Sequence, residues 1–276
     1  MSSHKTLNDI EYWVYNDNFK LPVIVMVHGL RGTHHGLDLV AKLLPEFKII
    51  IPDLPGFNHS KSLNVEHSIE NYSKWLSTFI SDLKLPKPPT LLGHSFGSII
   101  CASYAKDNPN NISKLILINP IGAPVLQGPR SIMTQISVFY YWLGNTLPEP
   151  IGTKLLKSKI IVRIMTAFLS KSHDKQIREY SLDQHLRYFS TFTNRQALNE
   201  AFKASISNDV RVFAPDIKVP TLLIAGDRDD VTKLPDQKKL VKMFPDAKLE
   251  VIENVGHITQ YETPDEVANA IKTFLI

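Results

Sequence analysis

Six short runs stand out along the chain: Val23 to Val27, Lys48 to Ile51, Thr90 to Leu92, Lys114 to Ile118, Thr221 to Ala225 and Lys248 to Ile252. Most are continuously apolar instead of alternating. This pattern predicts strands buried on both faces, as in a parallel sheet covered by helices. Between them lie stretches of helical length and polarity at Gly36 to Leu44, Ser68 to Leu83 and Ser95 to Asn108, with a final one at Pro264 to Leu275. The alternation of strand and helix predicts an α/β fold with a doubly wound, mostly parallel sheet.

The rhythm stops between Ile121 and about Asp216. There the chain shows helical segments at Arg130 to Leu143, Thr153 to Leu169 and Arg195 to Ser207, and no convincing strand. Gly122-Ala123-Pro124 at one end and Ala214-Pro215 at the other supply the punctuation expected where a chain leaves and re-enters a core. Residues 1–122 and 209–276 are therefore expected to form the core, and 123–208 an inserted helical cap.

Composition changes this picture little but removes several function classes. With 276 residues, 43% of them hydrophobic, the chain can bury a full core. Its net charge of +4 is spread without a basic, aromatic-interleaved patch, so nucleic acid is not an expected partner. A single cysteine, Cys101, excludes an internal disulfide and any cysteine-based metal cluster. No metal or cofactor is expected, and adjacent His34 and His35 seldom aim at one ion. Met1 to Asp9 lacks the apolar core of a secretory signal, which makes cytoplasmic residence the expectation. Ile132 to Leu143 is too short to span a bilayer. Oligomeric state is not readable from these features.

The candidate chemistry centres on Gly93-His94-Ser95-Phe96-Gly97, between the apolar run ending at Leu92 and the predicted helix. A G-x-S-x-G between strand and helix is a nucleophile elbow, in which a sharp turn holds the serine hydroxyl clear of the backbone. Serine is a poor nucleophile at neutral pH, so Ser95 needs a histidine base and an acid to orient it. His257, in the loop after the last predicted strand, is the histidine best placed for this. The acid is expected after the strand Thr221 to Ala225, where Asp227, Asp229 and Asp230 are all available.

These pieces resemble the α/β-hydrolase superfamily, in particular its capped, carboxylesterase-like serine hydrolases. The match extends to His28-Gly29-Leu30-Arg31-Gly32, to the loop from Asp53 to Ser60, to Gly226-Asp227-Arg228-Asp229 and to Gly256-His257 followed by Glu262-Thr263-Pro264. The G-x-x-D pattern of the acid loop selects Asp229, completing the chain order Ser95, Asp229, His257. The resemblance also implies an oxyanion hole formed by the backbone amides of Leu30 and Phe96. Asn58 replaces a glycine of the family pattern, at a position asparagine tolerates. Arg31 and Trp142 are candidate substrate contacts, Trp142 through the aromatic run Phe139-Tyr140-Tyr141-Trp142, whose other role is helix packing. Lys154, Lys157, Lys159 and Arg163 read as a solvated basic face.

The implied activity is hydrolysis of small-molecule carboxylic esters through an acyl-enzyme on Ser95. A serine at the elbow argues against relatives that use aspartate there. His94 and the single-glycine oxyanion loop depart from the pattern of carbon–carbon bond hydrolases. Other readings on the same residues are a lactonase, a cofactor-free haloperoxidase, or a ligand-sensing protein that turns over slowly.

Overall fold

The computed structural model describes residues 2–18, 20–123 and 131–276, the side chains of the last stretch from residue 135 onward. Its strands are β1 (Ser2–Leu7), β2 (Ile10–Tyr15), β3 (Val23–Val27), β4 (Lys48–Pro52), β5 (Thr90–His94), β6 (Lys114–Ile118), β7 (Thr221–Gly226) and β8 (Ala247–Ile252). They form one sheet in the order β1-β2-β4-β3-β5-β6-β7-β8. All neighbours from β4 to β8 pair parallel, while β1 and β2 pair antiparallel with each other and β2 with β4.

The first helices are α1 (Asp38–Lys42), α2 (Ile69–Asp82) and α3 (Phe96–Asp107). Between β6 and β7 the chain runs through α4 (Ser131–Thr146), α5 (Glu149–Leu156), α6 (Lys159–Leu169), α7 (Lys175–Tyr188) and α8 (Arg195–Ser207). It finishes through α9 (Leu234–Leu240), α10 (Thr259–Glu262) and α11 (Pro264–Leu275).

The apolar strands divide their side chains between two cores. Val25, Val27, Leu91, Leu115, Leu117 and Leu223 pack with α2 and α3 on one face. Ile24, Met26, Leu92, Ile116, Ile118 and Ile224 pack with α1 and α11 on the other. Alternate residues of one strand point to opposite faces, and both faces are covered, which is why these strands read as continuous apolar runs. In α2, Ser68 caps the first turn by accepting from the Asn71 amide at 3.2 Å, and Ile69, Tyr72, Leu76 and Phe79 form the buried stripe.

Three features differ from the expected elements. Residues 2–15, where the sequence pattern predicts no element, form a β-hairpin, turning at Asn8 and Asp9 with φ of 51° and 63°. Left-handed conformation at both central residues matches the twist of a two-residue hairpin. β1 is an edge strand with most of its side chains exposed, so no apolar pattern marks it. The expected helix from Thr153 to Leu169 is two helices, parted at Lys157 and Ser158, where Ser158 is extended. α7 has no counterpart among the expected helices because its sequence is polar with few apolar positions; Asp174 starts it by accepting from the Gln176 amide at 2.7 Å. Pro124 and Arg130, the expected punctuation and helix start, lie outside the described residues. No helix among the described residues is long and apolar enough to cross a membrane.

Candidate active site

The carboxyl ends of β3, β5, β7 and β8 bring four loops together, the edge where open α/β sheets gather functional groups. At the end of β5, Ser95 adopts φ 52° and ψ −117°, a conformation that is costly for a residue with a side chain. The turn closes because its flanks are bare. A Cβ at Gly93 would lie 2.5 Å from the Gly97 oxygen, and one at Gly97 would lie 2.4 Å from the Val27 oxygen. The Ser95 amide donates to the Ile118 carbonyl at 3.0 Å, tying the elbow to the neighbouring strand.

Ser95 Oγ donates to His257 Nε2 at 2.8 Å, and His257 Nδ1 donates to Asp229 Oδ2 at 2.7 Å. Asp229 is held on its other side: Oδ1 accepts from the Val231 and Thr232 amides at 2.7 and 2.9 Å, and the Thr232 hydroxyl donates to Oδ2. Burial opposes ionisation of this carboxyl, but the His257 imidazole and these hydrogen bonds outweigh it and hold its pKa at about 2. Asp227 and Asp230 are not part of this chain; Asp230 pairs with Lys171 at 2.7 Å.

The histidine loop is fixed from several directions. Asn119, at the end of β6 with φ 44°, donates from Nδ2 to the His257 carbonyl at 2.7 Å and accepts the Gly226 amide on Oδ1 at 3.1 Å. It thereby links the acid-bearing and histidine-bearing loops. His94 Nε2 also donates to the His257 carbonyl at 3.2 Å. Burial, reinforced by the neighbouring His257, pushes the His94 pKa down to about 3, so its ring stays neutral. Glu262 accepts from the Gly256 amide on Oε2 and from the Ser170 hydroxyl and the Lys171 and Ser172 amides on Oε1. The His257 amide in turn donates to the Leu169 carbonyl at 2.9 Å. The end of α6 and the histidine loop are thus bound together.

Leu30 and Phe96 border the serine, and among the described residues neither amide donates a hydrogen bond. A cavity of about 810 Å³, counted to its open mouth, lies over Ser95 and His257. Met165 and Leu169 of α6 and Gln184 and Tyr188 of α7 line it opposite the serine. The Gln260 side chain, 3% exposed, also lines it, and its Oε1 has no hydrogen-bond partner among the described residues.

Two expected substrate contacts are differently employed. Arg31 borders the cavity but is buried, donating from Nε to the Phe189 carbonyl at 2.8 Å and from a terminal nitrogen to the Leu156 carbonyl at 2.6 Å. Its charge fastens the inserted helices to the loop after β3. Trp142 is 54% exposed and stands outside the cavity lining. The neighbouring Tyr141 stacks on Phe202 at 3.9 Å and takes the buried face of α4, so a residue one step, about 100°, further round points away.

Other polar residues of the matching motifs shape loops. Asp53 accepts from the His34 amide at 2.6 Å and the Asn58 side chain at 2.7 Å, and Asn58 takes the left-handed φ of 50°. His28 Nε2 accepts from the Leu54 amide at 2.9 Å. His34, His35 and Asp38 place ligand-type atoms within 4.8 Å of one another, but Asp38 already accepts from His35 and Tyr15, and His34 Nδ1 from its side faces Asp53. Asn119, Thr232 and Glu262 carried no expected role. Glu262 is visible in the sequence only as part of a matching motif.

This sheet and its loops define the α/β-hydrolase class of proteins. Residues 22–264 match the family model described as alpha/beta hydrolase fold, and the chain belongs to that family. It is 24% identical over 265 residues to Lipase 1 of Psychrobacter immobilis, covering 94% of this chain and 78% of that protein. It is 28% identical over 264 residues to a monoacylglycerol lipase of Mus musculus, covering 92% and 75%. Among solved structures, the enol-lactonase from Burkholderia xenovorans LB400 superposes with a TM-score of 0.82 at 19% identity over 99% of each chain.

Proposed function

We propose that this hydrolase cleaves carboxylic esters, with Ser95 as nucleophile, His257 as general base and acid, and Asp229 as the group that orients and stabilises the imidazolium. The observation that carries the reading is the unbroken chain from Ser95 Oγ through His257 to buried Asp229, with links of 2.8 and 2.7 Å. His257 Nε2 takes the hydroxyl proton as Oγ attacks the ester carbonyl carbon, and the carbonyl oxygen becomes an oxyanion held by the Leu30 and Phe96 amides. Removing one such donor typically costs about 3 kcal/mol of transition-state stabilisation. The tetrahedral intermediate collapses, breaking the bond to the alkoxy oxygen, which leaves as alcohol with the proton from Nε2. Water then attacks the acyl-enzyme, again deprotonated by His257, and releases the acid and Ser95.

Asp229 remains ionised throughout, as its low pKa requires for stabilising a cationic ring beside it. Residues 123–208 act as a cap, with α6 and α7 walling the acyl-binding cavity over the 1–122 and 209–276 core. The lipase names of the relatives agree with an ester substrate. The test is turnover of p-nitrophenyl esters from acetate to palmitate by wild type and Ser95→Ala, with fluorophosphonate labelling alongside. Multiple turnovers lost in the variant, and a label on Ser95, are expected. Turnover that survives the substitution overturns the assignment.

A further inference from the structure

Large apolar side chains are exposed in unusual concentration on three consecutive inserted helices. Ile136, Phe139 and Trp142 project from α4, Ile151 from α5, and Ile160 and Ile164 from α6, each more than half exposed. Among the described residues nothing covers them. On α6 the exposed positions Ile160, Arg163, Ile164 and Ala167 follow the i, i+3, i+4, i+7 spacing of one helix face, while Val162 and Thr166 are buried and Met165 and Leu169 line the cavity. One helix therefore presents an apolar face outward and walls the cavity with another.

Charge is partitioned in the same way. Residues 124–173 contain six of the 31 Lys and Arg and one of the 27 Asp and Glu, so this stretch nets +5 while the rest of the chain nets −1. Lys154, Lys159 and Arg163 are exposed beside these apolar residues and form no ion pair among the described residues. Lys157 instead lies over the Phe192 ring at 5.2 Å, and Lys171 pairs with Asp230.

We propose that the α4–α6 face docks on an anionic lipid surface, apolar side chains entering the interface and Lys154, Lys159 and Arg163 meeting acidic headgroups. Soluble monomers seldom expose apolar residues so densely, and a helix that combines them with cations is suited to the interfacial plane of a bilayer. A partner protein would also take apolar residues, but the three exposed cations beside them, Lys154, Lys159 and Arg163, select an extended negative surface. Because α6 also walls the cavity through Met165 and Leu169, docking would bring that cavity close to apolar esters in the bilayer.

Co-sedimentation of the full chain with vesicles tests this directly, independently of the ester reading. Wild type is expected to sediment with vesicles of phosphatidylcholine containing about 30% phosphatidylglycerol and to bind pure phosphatidylcholine about tenfold more weakly or worse. The triple variant Lys154→Glu, Lys159→Glu, Arg163→Glu should lose about 100-fold in affinity or more for the anionic vesicles, and 0.5 M salt, roughly, should mimic it. Phe139→Ser with Ile164→Ser should release the protein from anionic vesicles while soluble-ester turnover and thermal melting stay at wild-type values. Because these positions are exposed, the folded state tolerates their change. No binding, equal binding to both vesicle types, or variants that bind like wild type overturn the proposal. Light scattering that shows wild-type self-association abolished by Phe139→Ser with Ile164→Ser also overturns it, assigning the face to a second copy.

Discussion

Arg31→Met removes a buried cation while keeping most of the apolar stem, and the structure sets what it should cost. Two charge-assisted hydrogen bonds disappear, to the Phe189 carbonyl at 2.8 Å and the Leu156 carbonyl at 2.6 Å. Contact with the Tyr140 hydroxyl at 3.5 Å is too long to add much. Bonds from a charged donor contribute about 1.5–3 kcal/mol each, and the buried cation's own desolvation offsets part of that. Leu156 keeps a second partner in the Tyr140 hydroxyl at 3.2 Å, which lowers the cost of losing Arg31 there. The left-handed φ of 61° is unchanged, since Met also has a Cβ, so backbone strain cancels. The net loss should be about 2–3 kcal/mol, felt where the two carbonyls belong. Amide hydrogen exchange in α5 to α7 should then quicken about 30- to 150-fold, with β3, β5 and β7 unchanged. Ester turnover should fall as well, because α6 and α7 wall the cavity. Arg31→Lys should not restore protection, as one ammonium cannot fork to carbonyls on two separate segments. Uniform acceleration across the sheet, or none anywhere, refutes the view that Arg31 fastens the insert.

Asp229→Asn should leave the fold intact and reduce ester turnover about 10⁴-fold, read from initial rates at neutral pH, because an amide no longer fixes the imidazole tautomer. The Asp229 pKa is lower folded than unfolded, so its contribution to stability is full above about pH 4 and fades as pH falls toward 2. Urea midpoints of wild type and Asp229→Asn should therefore converge over that interval; a gap that widens on acidification contradicts the sign. Gly97→Ala sets a Cβ 2.4 Å from the Val27 oxygen and should cost about 3 kcal/mol or more, seen as a lowered melting temperature or insoluble protein. Gln260→Leu should be neutral or slightly stabilising in a thermal melt, because it removes a buried side-chain carbonyl oxygen that has no hydrogen-bond partner.

Legibility followed chemistry that leaves a local trace. Strands buried on two faces and a serine between close-packed glycines each impose a residue pattern within a few positions, and those elements were readable. The β1–β2 hairpin was not, since an exposed edge strand has no apolar side to show and its turn signal, Asn8-Asp9, lies in a polar stretch. α7 was hidden for a related reason: a helix held by a few contacts from one cavity-lining face needs no long apolar stripe. The fastening role of Arg31 has no local trace because its partners, the carbonyls of Leu156 and Phe189, lie 125 and 158 residues away and any sequence can supply a carbonyl. Asn119 is equally unmarked in the sequence, since its amide acts on backbone atoms of loops more than 100 residues distant. Tertiary bonds to the main chain leave no signature at the far end.

The Glu262 clamp also bears on how such a chain can diverge. Since the carboxylate grips residues 170–172 and the Gly256 amide together, and the His257 amide holds the Leu169 carbonyl, the downstream end of α6 shares its backbone position with the loop that carries the imidazole. Insertions or deletions there would displace the imidazole by whatever they displace the helix, whereas changes of length around Lys157 and Ser158 would disturb the Arg31 bond to the Leu156 carbonyl but leave the histidine loop in place. Lineages descended from this architecture can thus remodel the insert upstream of α6 without moving the imidazole, while the junction at 169–172 is pinned and can change in side chain but hardly in length.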